Sequence, residues 1–241
     1  MIYNFFTSVF FLFFTLTTPT TSSVSKKAEA PKNIAAVTTP ATAESTAISL
    51  YNRLNANSHA LPTLESFTNA ITGYNKLKEQ GRIKKELLTI VDFSKSSTTK
   101  RLWIIDMKTQ TVLYNTLVAH GRNSGDDFAT AFSNEDRSFK SSLGFFATGE
   151  IYIGKHGESL KLDGLEAGVN SNARSRAVVM HAADYVSESF IKQHNRLGRS
   201  HGCPALPNEL NKEIINLIKG KSCLFIYHPS RNYTQVSKLS A

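Results

Sequence analysis

Residues 176–206 read RAVVMHAADYVSESFIKQHNRLGRSHGCPAL. The run Arg176-Ala177-Val178-Val179-Met180 is apolar and β-branched, the composition of a buried strand, and it ends on His181. Asp184 to Gln193 is helix-like, and the stretch closes on Arg199-Ser200-His201-Gly202-Cys203-Pro204-Ala205-Leu206. A cysteine preceded by glycine is a candidate nucleophile. A residue without a side chain lets a substrate carbonyl approach the sulfur and lets successive backbone N–H groups converge on an oxyanion. Pro204 stiffens the exit, and a helix entered near Pro207 sets the thiol close to a helix N-terminus, whose dipole favours a thiolate.

Outward from this stretch, strands dominate after Lys85. Short apolar runs occupy Leu87 to Phe93, Leu102 to Ile105, Val112 to Ala119, Phe145 to Ile153, Ala177 to His181 and Cys223 to Tyr227. His120 to Asp127 and Lys155 to Asn172 are polar and long enough to be site loops. Leu210, Ile214, Leu217 and Ile218 mark an amphipathic helix ended by Gly220. Because regular helices do not separate the strands, a doubly wound parallel sheet is disfavoured. Upstream, Pro62 and Thr63 open a helix carrying Leu64, Phe67, Ile71, Tyr74 and Leu77, and Gly81 stops it. An earlier helical face near Glu44 runs through Ile48, Tyr51 and Leu54.

A cysteine at its free pKa of ~8.5 is only a few per cent ionised at neutral pH, so catalysis needs a base or a cation within reach. His181 closes its strand at the mouth of a site and is the candidate base. His201 sits two positions from the thiol, which aims its side chain poorly for proton transfer. The second cysteine, Cys223, begins the apolar run Cys-Leu-Phe-Ile-Tyr and is expected to be a small buried hydrophobe, unpaired with Cys203.

His181, the Ser200-His201-Gly202-Cys203 box, Val118 to Gly125, Ser141-Ser142-Leu143-Gly144 and Gly198-Arg199 together resemble the L,D-transpeptidase family, in particular its murein L,D-transpeptidase catalytic-domain branch. The similarity spans roughly residues 62–229. It implies an α+β fold, a mainly β catalytic core of mixed sheet or sandwich form with flanking helices. It also implies a peptidoglycan stem peptide cut before a terminal D-Ala through a Cys203 thioester, with His181 as base. On the same resemblance the backbone N–H groups of His201, Gly202 and Cys203 hold the oxyanion, and no cofactor is required. Relatives often carry Arg or Asn two residues after the cysteine, where this chain has Ala205. Arg199, Arg176 and Arg174 are candidate replacements for gripping a peptide carboxylate. Ser200 and His120 are further substrate-binding candidates. The implied organisation is a signal or anchor at 1–25, a flexible linker at 26–47, a helical segment at 48–85, the catalytic domain at 86–229 and a tail at 230–241.

The N-terminus and the charge set the compartment and the partners. Met1 to Ser25 hold no charged residue, and six of the fifteen Phe fall between Phe5 and Phe14. This apolar run is the length of a signal-peptide core and short of a bilayer span, so the chain is expected to be exported to the periplasm or envelope, and to touch membrane only through this segment if it is retained. Thr17 to Ala47, with Pro19, Pro31 and Pro40, reads as a tether. A net charge of +9 favours an anionic partner, but zinc-finger spacing and RNA-binding motifs are missing, which sets nucleic acid aside. An Asp three residues after His181 invites a zinc-peptidase reading, yet no His-x-x-x-His, His-Glu-x-x-His or Cys-x-x-Cys spacing occurs, so no metal is expected. A non-catalytic wall-binding module would not need the Gly-Cys-Pro turn. The nearer alternative is a thiol hydrolase with the same site, a carboxypeptidase or an amidase that frees wall-attached protein. Asp126, Asp127, Glu135 and Asp136 read as a solvated loop face.

Overall fold

The computed structural model describes residues 43–240 and Leu12; apart from that leucine, the readings of 1–25 as an export segment and of the linker up to Thr42 lie outside the described residues. Helix α1 (Ala43–Asn52) turns Ala47, Leu50 and Tyr51 toward the core, and Leu54 is buried just beyond it. Ile48, expected on that face, is exposed, because the buried stripe runs one residue out of step with it. Helix α2 (Leu64–Glu79) starts as the sequence dictates: the Thr63 hydroxyl accepts the Ser66 N–H at 3.2 Å, and Gly81 beyond its end adopts φ +66°. Its stripe of Phe67, Ala70, Ile71, Tyr74 and Leu77 is buried.

The strands are β1 (Leu87–Asp92), β2 (Leu102–Asp106), β3 (Thr111–Thr116), β4 (Gly144–Gly154), β5 (Gly157–Gly164), β6 (Val179–Ala182), β7 (Ala205–Leu206) and β8 (Cys223–Tyr227). They form one mixed sheet in the order β3-β2-β1-β8-β4-β5-β6-β7. β1 with β8 and β6 with β7 are parallel, and the other neighbours are antiparallel. Every residue of β8 is buried, as a strand covered on both faces requires. Phe145 and Phe225 pair across β4 and β8 and stack at 4.2 Å. α2 lies so close to them that a Cβ on Gly73 would stand 2.1 Å from Phe145 Cζ. Three helices complete the described fold: α3 (Glu188–His194), α4 (Asn208–Ile218) and α5 (Arg231–Val236). α4 packs Ile214, Ile215 and Ile218 onto the sheet beside β4, β5 and β6. The core is thus mainly β with flanking helices, as expected.

Four local features differ from the sequence reading. Residues 155–172 are not a continuous loop, since Gly157–Gly164 form β5, a hairpin partner of β4. Its alternation, with Leu160 and Leu162 inward, is diluted by Glu158, Lys161 and Asp163. The two-residue strand β7 separates Cys203 from α4, so the thiol lies outside the first helical turn, where the dipole acts. α3 begins at Glu188, capped by Ser187, and not at Asp184. Residues read as a tail form α5 and bury Tyr233 and Leu239, with the Tyr233 and Ser237 hydroxyls donating to the Glu166 carboxylate. Among the described residues no helix is long and apolar enough to cross a membrane.

Candidate active site

Cys203 sits in a turn fastened on three sides. Ser200 Oγ donates to the Cys203 carbonyl at 2.7 Å and accepts the Gly202 N–H at 3.0 Å, which closes the turn from within. Ser141 Oγ donates to the Gly202 carbonyl at 3.1 Å and accepts the Gly121 N–H at 3.0 Å, tying the turn to the loop after β3. That loop and the turn also exchange backbone bonds, Ser200 N–H to the His120 carbonyl and Arg122 N–H to the Ser200 carbonyl. Two glycines make the approach possible: a Cβ on Gly121 would lie 2.8 Å from Gly202 Cα, and Gly202 itself has φ +118° with the Lys140 carbonyl 2.7 Å from where a Cβ would be.

The thiol meets the first residues of β6. Cys203 Sγ accepts the Val179 N–H at 3.5 Å and donates to the Ala177 carbonyl at 3.7 Å. Ala177 holds φ +53°, a left-handed conformation costly for a residue with a Cβ, and in it the carbonyl reaches the sulfur. In the parallel β6–β7 pair His181 stands opposite Ala205, two residues past Val179 and Cys203 respectively. The residue whose N–H meets the sulfur therefore precedes the histidine by two positions of the same strand, ~6.6 Å of backbone rise. His181 is buried, and its Nδ1 is 2.8 Å from the Ala182 carbonyl. A carbonyl can only accept, so Nδ1 carries the proton and Nε2 the lone pair. Burial pushes the imidazole below its ordinary pKa, the Ala182 carbonyl offsets part of this, and neighbouring His156 adds to it. Burial pushes the Cys203 thiol up, against the Val179 N–H and the Arg176 guanidinium, which pull it down. Both effects favour a resting pair of neutral thiol and neutral imidazole over an ion pair.

The other sequence candidates divide into groups. Arg176 stands beside the turn, its guanidinium donating to Ser142 Oγ at 2.6 Å, Ser138 Oγ at 3.1 Å and the Ser133 and Lys140 carbonyls at 2.8 Å. Arg199 is engaged by Asp126 at 2.8 Å and the Gly125 carbonyl at 3.0 Å. Arg174 is not brought to the thiol: it pairs with Glu150 and Asp163 on the β4–β5 hairpin, and these carboxylates raise its pKa. His120 is buried, receives Arg101 Nη2 at 2.8 Å on Nδ1 and faces the Gly125 carbonyl with Nε2. Burial, followed by the Arg101 charge, lowers its pKa to about 4, so this ring is a neutral loop brace and not a lining for substrate. Asp126 and Asp127 are likewise engaged, by Arg196 and Arg199 and by Ser96 and Ser97. The Gly202 N–H is committed to Ser200, which removes it from the expected oxyanion set, whereas the N–H groups of His201 and Cys203 have no partner among the described residues. The exposed His201 ring leans on Phe139 at 4.7 Å, and Arg122 lies over the Phe139 ring at 4.2 Å.

Arg101, His156 and Tyr185 also lie near the site. Arg101 is fully buried and donates to the Val118 and Lys95 carbonyls as well as to His120; burial lowers its pKa to about 9. His156, in the β4–β5 turn, stacks on His181 at 4.4 Å. Tyr185 packs on Gly198 so closely that a Cβ there would meet Tyr185 Cβ at 2.3 Å. In the sequence the Tyr185 contact shows as a glycine beside Arg199, and His156 as a histidine before Gly157 in the stretch 155–172. Among the described residues no group of three or more His, Cys, Asp or Glu is placed to hold a metal ion.

Comparison with known proteins follows this geometry. No curated protein matches the chain. Among solved structures, similarity is found to an L,D-transpeptidase from Mycobacterium smegmatis at 12% identity, covering 59% of each chain with a TM-score of 0.37. The helical cell shape determining protein of Campylobacter jejuni matches at 12% identity over 68% of this chain and 57% of its own, with a TM-score of 0.42. An L,D-transpeptidase from Xylanimonas cellulosilytica matches at 11% identity over 77% of this chain and 92% of its own, with a TM-score of 0.36. The match thus spans about three fifths of the length of the first two structures. The model of the L,D-transpeptidase catalytic domain matches residues 59–227, from just before α2 to the end of β8 and including every element of the Cys203 turn. The chain belongs to the L,D-transpeptidase catalytic-domain family.

Proposed function

We propose that the chain is an exported cysteine peptidoglycan L,D-transpeptidase in which Cys203 is the nucleophile and His181 the base. The carrying observation is the β6–β7 register, which sets the sulfur against Val179 and the imidazole two residues further along the same strand. His181 Nε2 takes the thiol proton as sulfur attacks the stem-peptide carbonyl ahead of the terminal D-Ala. The resting pair is neutral, so this transfer accompanies attack and does not precede it. The N–H groups of His201 and Cys203 stabilise the oxyanion, and the Arg176 charge favours the transient thiolate. His181 returns its proton to the departing D-Ala amine, leaving a thioester on Cys203. An amine from a second stem peptide then takes the acyl group.

Export is supported by the uncharged, Phe-rich stretch before Lys26. The test is mass spectrometry of digested muropeptides after incubation with the enzyme. Cross-linked dimers are the expected product. Trimmed tripeptides alone would identify a carboxypeptidase, and released wall protein an amidase. Turnover by Cys203→Ala would remove the nucleophile assignment altogether.

A further inference from the structure

We infer that the cavity beside His181 is a subsite for a primary ammonium group of the substrate, an inference that rests on the transpeptidase reading and extends it. The cavity, about 280 Å³, is lined by His156, Ala182, Ala183, Asp184, Tyr185 and Asn208. His181 does not line it, but two of its walls are neighbours of the proposed base. Ala182 and Ala183 continue the chain from His181, and His156 stacks on the His181 ring. Tyr185 forms a half-buried wall, fixed against Gly198, which also donates its N–H to the Tyr185 carbonyl. The Tyr185 phenol is pushed up to about 12, first by burial, so this wall is uncharged.

Asp184 supplies the selectivity. One oxygen accepts the Asn208 amide N–H at 2.5 Å, so the carboxylate is held in orientation by a neutral group. Among the described residues no lysine or arginine forms an ion pair with it, although the chain carries nine more basic than acidic side chains. An oriented carboxylate without a cation, next to a base that must accept a proton from nitrogen, suits an alkylammonium and repels a carboxylate. Two groups of a stem peptide have this chemistry, the acceptor amine and a side-chain amine on the third residue of the donor. If the acceptor binds here, its ammonium gives one proton to His181 Nε2 and its lone pair attacks the thioester carbon. The N–C bond forms, the C–S bond breaks, the second nitrogen proton passes to the departing sulfur, and His181 returns its own to solvent.

The experiment compares donors with a free or N-acetylated side-chain amine, and an ammonium acceptor with an alkoxyamine that is uncharged at neutral pH, in the wild-type chain and in Asp184→Asn. Donor use is read as Cys203 acylation by stem tetrapeptides with a free or acetylated third-residue side chain. Acceptor use is read as acyl transfer to Nα-acetyl-lysine amide or to an alkoxyamine of matching length, with release of the acid as reference. The wild type is expected to half-saturate at about three- to tenfold lower concentration of the charged compound than of its neutral counterpart in one of the two arms, and the arm that shows this names the source. Asp184→Asn should abolish the preference and Asp184→Glu should restore part of it. Equal half-saturation by the charged and neutral compounds in both arms of the wild type, or a preference that survives Asp184→Asn, overturns the subsite. If wild-type Cys203 is never acylated, the transpeptidase reading falls by itself. The subsite is then decided by NMR titration with Nα-acetyl-lysine amide: shifts at Asp184, Tyr185 and His156 that Asp184→Asn removes support it, and their absence overturns it.

Discussion

The two cysteines occupy opposite kinds of surroundings within one sheet. Cys223 opens β8, opposite Leu88 and Ala147, fully buried among apolar side chains, and burial drives its thiol far above the ordinary range. Cys203 precedes β7 at the sheet edge, partly exposed, with an N–H, a carbonyl and a guanidinium around its sulfur. Neither is in a disulfide. The element is the same, and the surroundings set the chemistry. A central strand offers packing partners only, whereas a turn fixed by serine hydroxyls at the edge offers dipoles and an approach for substrate.

The largest effect that would break this contrast is expected at Cys203. Cys203→Ala should eliminate the acyl adduct formed with a stem tetrapeptide, as read by intact mass, and an adduct carried by Cys223 would reverse the two roles. Next in size, His181→Gln should slow acylation by roughly 10²- to 10⁴-fold with the fold intact by circular dichroism. His201→Ala should cost less than about tenfold, since the backbone N–H survives the substitution. If His201→Ala proves the more damaging, the base must be reassigned.

On the other side of the comparison, Cys223→Ala should leave acylation untouched and lower stability by about 1–2 kcal/mol, the scale of a small loss of buried apolar volume. Chemical denaturation measures it, and a loss of several kcal/mol would point to a native disulfide instead. The smallest effect concerns pH. Thiolate is the reactive form, and burial raises the Cys203 pKa, so alkylation by iodoacetamide should run a few-fold slower at pH 7 than for free cysteine. The rate should keep rising as the pH passes the free thiol value of ~8.5, while Cys223 stays silent until the protein unfolds. An inflection below that value would show that Arg176 and the Val179 N–H outweigh burial.

Local pattern determined a large part of this molecule. The Thr63 cap, the α2 stripe and Gly81 form a self-contained helix signal, because each acts on its own neighbours within a few residues. The apolar runs at β1, β2, β4 and β8 were equally legible, since burial on both faces demands continuous hydrophobicity. The Gly-Cys-Pro turn, the upstream histidine and the buried character of Cys223 also stand in the linear order of residues. β5 did not, because a half-exposed strand with three charges resembles a loop until β4 pairs with it.

Tertiary structure alone decided what each polar group near the thiol does. Three arginines were equivalent in sequence, yet Arg176 braces the loop beside Cys203, Arg199 meets Asp126, and Arg174 is neutralised on the β4–β5 hairpin. His120 and His181 each follow an apolar run, but the buried Arg101 turns the first into a hydrogen-bond acceptor, whereas Nε2 of the second has no hydrogen-bond partner among the described residues. Asp184, one charge among many along the chain, acquires its place by accepting from Asn208 and lining a cavity with His156 and Tyr185. The physical reason is one of range. Capping, turn geometry and hydrophobic period act between residues close in the chain, so sequence carries them. A hydrogen bond from Arg101 to His120 or a stack of His156 on His181 exists only after distant strands have paired, and no local pattern encodes which polar groups will then face one another.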